Sequence, residues 1–184
     1  MNVNKKHETV RFFEAHCRDC NATFGVPLLS DFSYGEFILK SEDGKAFAYL
    51  NGIVEKSFDQ ISNILEEFGE DKKNRNLRIG KYGFLSAWWA KIRPKRDEDY
   101  YQSVAYINRL QWTIAQCADE IGGQKLTTQF ICPNCRSNKV GYGDTVVVKD
   151  DEIPVVTFDM FNAMSESEKK EKVREVYNIS KGLF

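Results

Sequence analysis

Alternation of apolar and polar positions marks the first part of the chain as strand-forming. Thr9 to His16 reads as a strand and Thr23 to Leu28 as its return, because side chains two apart share one face of a strand. Glu36 to Lys40 and Lys45 to Leu50 make a second pair around Asp43-Gly44, a dipeptide suited to a tight hairpin. Phe47 and Tyr49 then share a face, and Asn51-Gly52 makes a further turn. The period changes next: Phe58, Ile61, Leu65 and Phe68 recur at helical spacing, with Ser57 and Gln60 read as the capping box that opens the helix and Gly69 as its end. A longer helix is expected from Asp97-Glu98-Asp99, acids suited to a helix N-terminus, to about Ile121. Tyr101, Val104, Ile107 or Asn108, Ile114, Ala115, Ala118 and Ile121 give it an apolar face, and Gly122-Gly123 stops it. Lys125 to Ile131 and Lys139 to Lys149 return to strand, the acids at 150–152 read as a turn, and Val155 to Phe158 as a short strand. Ser165-Glu166-Ser167-Glu168 is a second capping box, opening a charged C-terminal helix. With only Val173, Val176 and Tyr177 to bury, that helix is expected at the periphery.

One stretch follows neither period. Between 72 and 96 stand Lys72, Lys73, Arg75, Arg78, Lys81, Lys91, Arg93, Lys95 and Arg96 with no acid among them, interleaved with Tyr82, Phe84, Trp88 and Trp89. Pro94 marks its boundary with the next helix. The whole chain has a net charge of −1, so the remainder is acidic. Clustered cations neutralise phosphates and release counterions, and Trp or Tyr can stack on unpaired bases. Nucleic acid is therefore the expected partner, with Lys72, Lys73, Arg75, Arg78, Lys81, Trp88, Trp89, Arg93, Lys95 and Arg96 as contacts. A solvated loop with Trp88 and Trp89 anchored in the core beneath it is the plainer account of these residues. Exposed Trp, Tyr and Arg also make protein hot spots, so a protein-binding module, an adaptor or an inhibitor, is the alternative.

Composition narrows the class. At 42% hydrophobic and 13% aromatic the chain is globular rather than disordered, and 184 residues suffice for one domain with a core. The start is polar, with no signal-peptide segment, and the longest apolar run, Phe84 to Ala90, is too short to span a bilayer. A soluble cytoplasmic protein with no membrane partner is expected.

The five cysteines change the picture most. Cys17-Arg18-Asp19-Cys20 and Cys132-Pro133-Asn134-Cys135 are C-x-x-C hooks, each flanked by strand-like residues. Such a hook aims two sulfurs at one ion, and two hooks complete the closed four-thiolate set of structural zinc. An odd cysteine count with four in hooks fits metal in a reducing compartment better than disulfides. The ligands are expected to be Cys17, Cys20, Cys132 and Cys135 around a single Zn²⁺. Two unrelated pairs of buried thiols, or iron on the same ligands, are the other readings. Closing a loop of roughly 110 residues costs on the order of 4 kcal/mol, while a structural zinc site contributes about 10 kcal/mol or more. One ion can therefore tie the two regions together. Four thiolates on a dication leave a double negative charge that Arg18, Arg136 and Lys139 are placed to offset. Asn21, after the first hook, suits left-handed backbone. Cys117 reads as a buried core thiol, His16 as a neighbour of the site or a surface residue rather than a ligand, and His7 as part of a frayed tail.

These hooks resemble those of zinc-ribbon proteins, the zinc-knuckle and rubredoxin-like group, over residues 9–30 and 125–148 only. The second hook is the better match, departing at Arg136 where ribbons often carry Gly. The resemblance implies a metal-stabilised binding module. No motif for catalysis stands beside it: four thiolates leave a metal no open position, and P-loop, G-x-S-x-G, dinucleotide and His-x-Glu deaminase patterns are missing from the chain. Gly80-Lys81-Tyr82-Gly83 holds turn glycines, not a phosphate loop. The expectation is a non-catalytic protein with no small-molecule substrate. Its fold class is expected to be α+β and a single domain over 1–184: zinc-ribbon-like antiparallel hairpins at 9–30 and 125–148 meet at the metal, 31–124 is an insertion with two helices, and 157–184 is a C-terminal helical extension.

Overall fold

The computed structural model describes residues 7–29, 33–68 and 95–183, and for 95–103 and 142–146 the backbone alone. In order the elements are β1 (His7–Cys17), β2 (Thr23–Leu28), β3 (Glu36–Ser41), β4 (Phe47–Asn51), α1 (Lys56–Glu67), α2 (Lys95–Cys117), β5 (Leu126–Thr127), β6 (Val140–Pro154), α3 (Asp159–Ala163) and α4 (Glu166–Ser180). The strands form two antiparallel sheets, ordered β2-β1-β6 and β4-β3-β5. The mixed α+β class is as expected. The second expected hairpin is not formed: β5 pairs with β3 and β6 with β1, so the second hook runs between strands of two different sheets.

Strand alternation builds the layers. In the second sheet Phe37, Leu39, Ala48 and Leu50 face the helices, packing with Ile61, Ile64 and Leu65 of α1, Ile114 and Ala115 of α2, and Val173 and Tyr177 of α4. The opposite face carries Ile38, Phe47 and Tyr49, which meet Val10, Phe12 and Ile153 of the first sheet. Phe47 and Tyr49 thus share a face, as the pattern predicts, and the Phe12 and Phe47 rings meet edge-on at 6.0 Å. Each Leu, Ile or Phe buried this way contributes about 1.5–3 kcal/mol. The sheets are also joined directly, where Val156 N–H donates to Tyr49 C=O at 2.8 Å beside the parallel bridge of Tyr49 and Val155.

Several local expectations are corrected. Helix α1 is capped by Glu55, which accepts from Ser57 N–H, and not by a Ser57–Gln60 box. Ser57 is buried, its hydroxyl reaching Asn162, and the Gln60 amide reaches Glu166. Helix α2 stops at Cys117, short of Ile121; Gly122 and Gly123, at φ 61° and 73°, instead form a two-residue turn joining Ile121 to Gln124. Its buried face includes Tyr106 and Trp112, while Ile107 is exposed. The acids at 150–152 are no turn: they lie within β6, exposed along a strand bonded to β1. Beyond the Tyr49–Val155 bridge, 155–158 forms no strand and leads into α3, a helix the pattern did not announce. The Asp119 carboxylate caps α3, accepting from Asp159 N–H and Met160 N–H at 2.7 and 3.0 Å. His7 is no tail residue but opens β1 opposite Pro154. Helix α4 has the expected Ser165–Glu168 capping box, yet it is not peripheral. Lys169, Val173, Val176, Tyr177 and Ser180 make a buried stripe, the spacing of one helix face. Gly69, Pro94, and Gly80 and Gly83, expected as turn residues, lie outside the described residues.

Candidate metal centre

Each hook closes on itself by the same hydrogen bonds. Cys17 N–H donates to Ala22 C=O and Asn21 N–H to Cys17 C=O, both at 2.9 Å; Cys132 N–H donates to Ser137 C=O at 2.8 Å and Arg136 N–H to Cys132 C=O at 2.9 Å. The residue after the second cysteine is left-handed in both, at φ 57° for Asn21 and 60° for Arg136. Arg136 therefore departs from glycine without changing the turn. A further N–H, from Ala22 in one hook and Ser137 in the other, meets the sulfur of Cys20 or Cys135.

The hooks face each other. Cys17 and Cys135 sulfurs are 3.5 Å apart, Cys20 and Cys132 are 3.7 Å apart, and all four lie within 4.8 Å of one another. A tetrahedral ion about 2.3 Å from each thiolate sets the sulfurs about 3.8 Å apart, so the set fits one metal ion. In each hook the first sulfur is inside and the second outside: Cys17 and Cys132 are 1% and 0% exposed, Cys20 is half-buried and Cys135 exposed. Crowding divides the outer pair. The Asn134 amide and then Ala22 N–H draw Cys20 down to about 6. Ser137 N–H favours the Cys135 thiolate, but the Cys20 sulfur, desolvation, and the sulfurs of Cys17 and Cys132 outweigh it and push that thiol up to about 12. A cation at the centre is what allows four such groups to ionise together.

Polar side chains cross from hook to hook at matching positions. Asp19 of the first accepts from the Ser137 hydroxyl at 2.7 Å and the Lys139 ammonium at 3.1 Å, and Asn134 of the second donates to Cys20 sulfur at 3.5 Å. The backbone adds Arg18 N–H to Lys139 C=O at 2.9 Å. Lys139 thus neutralises Asp19 rather than a sulfur; Arg136 lies near the Asp43 carboxylate, whose pKa it helps to lower after Ser41 and Lys45, and Arg18 lies over Gly141. Asp19 and Asn134 were missed in sequence. Their signal is a polar residue just before each outer cysteine.

The mountings differ. Cys17 ends β1 in a ladder with β2 and β6. The second hook leans on the β3–β4 turn, where a Cβ on Gly44 (φ 74°) would stand 2.6 Å from Ile131 C=O. Lys40, 3% exposed, donates to Thr128 C=O at 3.3 Å and sets its ammonium 3.0 Å from the Phe130 ring centre.

Other expected site residues fall elsewhere. Cys117 is a buried thiol, pushed up to about 12 by burial. His16 stands at the surface, its ring nitrogens taken by Thr23 and Glu14. Lys72, Lys73, Arg75, Arg78, Lys81, Trp88, Trp89 and Arg93 lie outside the described residues; Lys95 and Arg96 open α2, with only their backbone described. An open groove of about 540 Å³ runs between α1 and α4, where Lys170 pairs with Glu67 and Gln60 with Glu166. Among the described residues no helix is long and apolar enough to cross a membrane. No protein-family model, curated protein or solved structure matches the chain, so the likeness of the hooks to zinc ribbons stays a likeness of two turns.

Proposed function

We propose that the protein is a non-catalytic binding module whose ion is structural zinc and whose partner is nucleic acid. The observation carrying this reading is the convergence of four cysteine sulfurs from two hooks of like geometry. Thiolates on all four corners suit zinc and leave it no open position, the mark of a structural rather than a hydrolytic site. The nucleic-acid half rests on sequence: the cations and aromatics of 72–96 are what phosphates and unpaired bases recruit. Metal analysis of purified protein should give one zinc per chain. Binding to single-stranded DNA or RNA should fall steeply with salt and weaken when Lys72, Lys73, Arg75, Arg78 and Lys81 are changed to Ala.

A protein partner is the second reading. It is favoured by Tyr34, Ile53 and Val54, which stand 90%, 64% and 73% exposed on neighbouring turns at one end of the second sheet; apolar groups so placed suit a protein surface. Zinc-loaded protein that binds no nucleic acid at low salt, yet is captured by a protein from nuclease-treated lysate, decides for this reading.

A further inference from the structure

The zinc centre has an asymmetry that its structural role does not require. Two cross-hook contacts, both under 4 Å, join an outer sulfur to an inner one: Cys135 to Cys17 at 3.5 Å, and Cys20 to Cys132 at 3.7 Å. The outer member can meet a solute. The inner member, shielded from solvent, stands within contact of it and belongs to the other hook.

Resting on the zinc reading above, we propose that this centre is a site of oxidation by hydroperoxides, which convert it to the disulfides Cys17–Cys135 and Cys20–Cys132 and expel the ion while the hooks stay joined. In the first step the Cys135 thiolate attacks the hydroperoxide O–O bond. Its sulfur gains a hydroxyl, becoming a sulfenic acid, and the other oxygen leaves with a proton as water or alcohol. The Cys17 thiolate then attacks the Cys135 sulfur; the S–S bond forms, the S–O bond breaks, and hydroxide departs as water after protonation. Two electrons have passed from the sulfur pair to one O–O bond. Cys20 and Cys132 repeat the sequence. With hydrogen peroxide, four thiolates, two peroxides and four protons give two disulfides and four waters, and the ion, without ligands, is released. Pairing across the hooks rather than within them has a consequence. The bonds span separations of 118 and 112 residues, so covalent closure replaces metal closure of the same loop.

The experiment treats zinc-loaded protein with hydrogen peroxide. It reads free zinc with a chromogenic chelator, disulfides by mass spectrometry of unreduced peptides, and cooperative unfolding by circular dichroism. Release of the bound zinc should be complete at about two equivalents of peroxide per chain. The two cross-hook peptides should appear together, unfolding should stay cooperative, and Cys117 should remain reduced. Zinc kept at excess peroxide, disulfides within the hooks, or direct passage to sulfinic acid each overturns the proposal and leaves the zinc reading intact. Protein that neither contains zinc nor takes it up overturns both.

Discussion

The two hooks are nearly the same object on different foundations. Backbone hydrogen bonds, left-handed residue and inner-outer placement of the sulfurs repeat from one to the other. The first, however, is the tip of a hairpin whose β1 strand runs 11 residues and is bonded on both edges. The second rises from β5, of two residues, and is held by a glycine contact, a buried lysine and an aromatic ring. Ladders hold the first hook on both its entry and exit sides; the second has one only on its exit side, through β6 and the Arg18 N–H to Lys139 C=O bond, and on its entry side rests on packing. The same ion should therefore matter more to the second hook than to the first.

Metal removal exposes this difference most strongly. Apparent binding free energies of structural zinc are about 10 kcal/mol or more, far above any single contact near the hooks. After chelation, amide exchange at Cys132 and Arg136 should accelerate by orders of magnitude more than at Cys17, at the end of a strand that keeps its ladder, and at Asn21, in the turn joining that strand to β2. Cys132→Ser, at a sulfur with no exposure, should cost more stability and metal than Cys135→Ser in the same hook. Equal acceleration in both hooks would remove the distinction.

What was legible in sequence divides along the same line. A C-x-x-C hook is local, so its residues, its turn and the left-handed Asn21 could be read from spacing. Pairing is not local. Nothing in Lys125–Ile131 says that two residues of it will join β3, or that β6 will cross to β1. Three consecutive acids resemble a turn, yet they are tolerated in β6 because both their faces meet solvent there, with Ile153 the next residue to enter the core. Helix α4 was underrated because its charges were weighed and its stripe, from Lys169 to Ser180, was not. Lys40 shares its face with Ile38, Phe47 and Tyr49, and its burial depends on Phe130, a residue far along the chain.

Lys40 is the next test. Burial lowers its pKa from 10.5 to about 7, with no charged group contributing. The unfolded chain thus holds this proton more tightly than the native one. The resulting penalty is absent above about pH 10.5, grows as pH falls, and is complete below about 7. The ring and the Thr128 carbonyl offset part of it, leaving about 2–4 kcal/mol on a scale of about 1.4 kcal/mol per tenfold change in proton affinity. Lys40→Met should therefore stabilise the metal-loaded protein at pH 6 and lose that advantage by pH 10, measured as the difference between the two denaturation midpoints. A destabilised Lys40→Met at pH 6 means that the cation holds up the second hook rather than burdening it.

A smaller effect separates the two left-handed residues. Arginine resists positive φ by about 1 kcal/mol, whereas asparagine tolerates it. Arg136→Gly should raise stability by about 0.5–1 kcal/mol, and Asn21→Gly by no more than roughly a few tenths. Chemical denaturation of both variants checks the order; a larger gain at Asn21 would mean that strain, too, is set by the mounting and not by the residue.

The smallest expected effect concerns the clasp itself. The Ser137 hydroxyl, and after it the Lys139 ammonium, hold the Asp19 carboxyl below the usual carboxylate range. Its contribution is present above that range and is lost as pH falls through the lowered pKa. The group is solvent-exposed, so its charge is screened, and Asp19→Asn keeps an acceptor for Ser137. The variant should melt slightly below the parent at low ionic strength and together with it at about 0.5 M salt, where the Debye length falls to about 4 Å. If the deficit persists unchanged in salt, the stronger bond that Ser137 makes to an ionised acceptor, rather than the ion pair with Lys139, joins the hooks, and Asp19 then acts on the second hook as Asn134 acts on the first: through one hydrogen bond laid across the four-sulfur site.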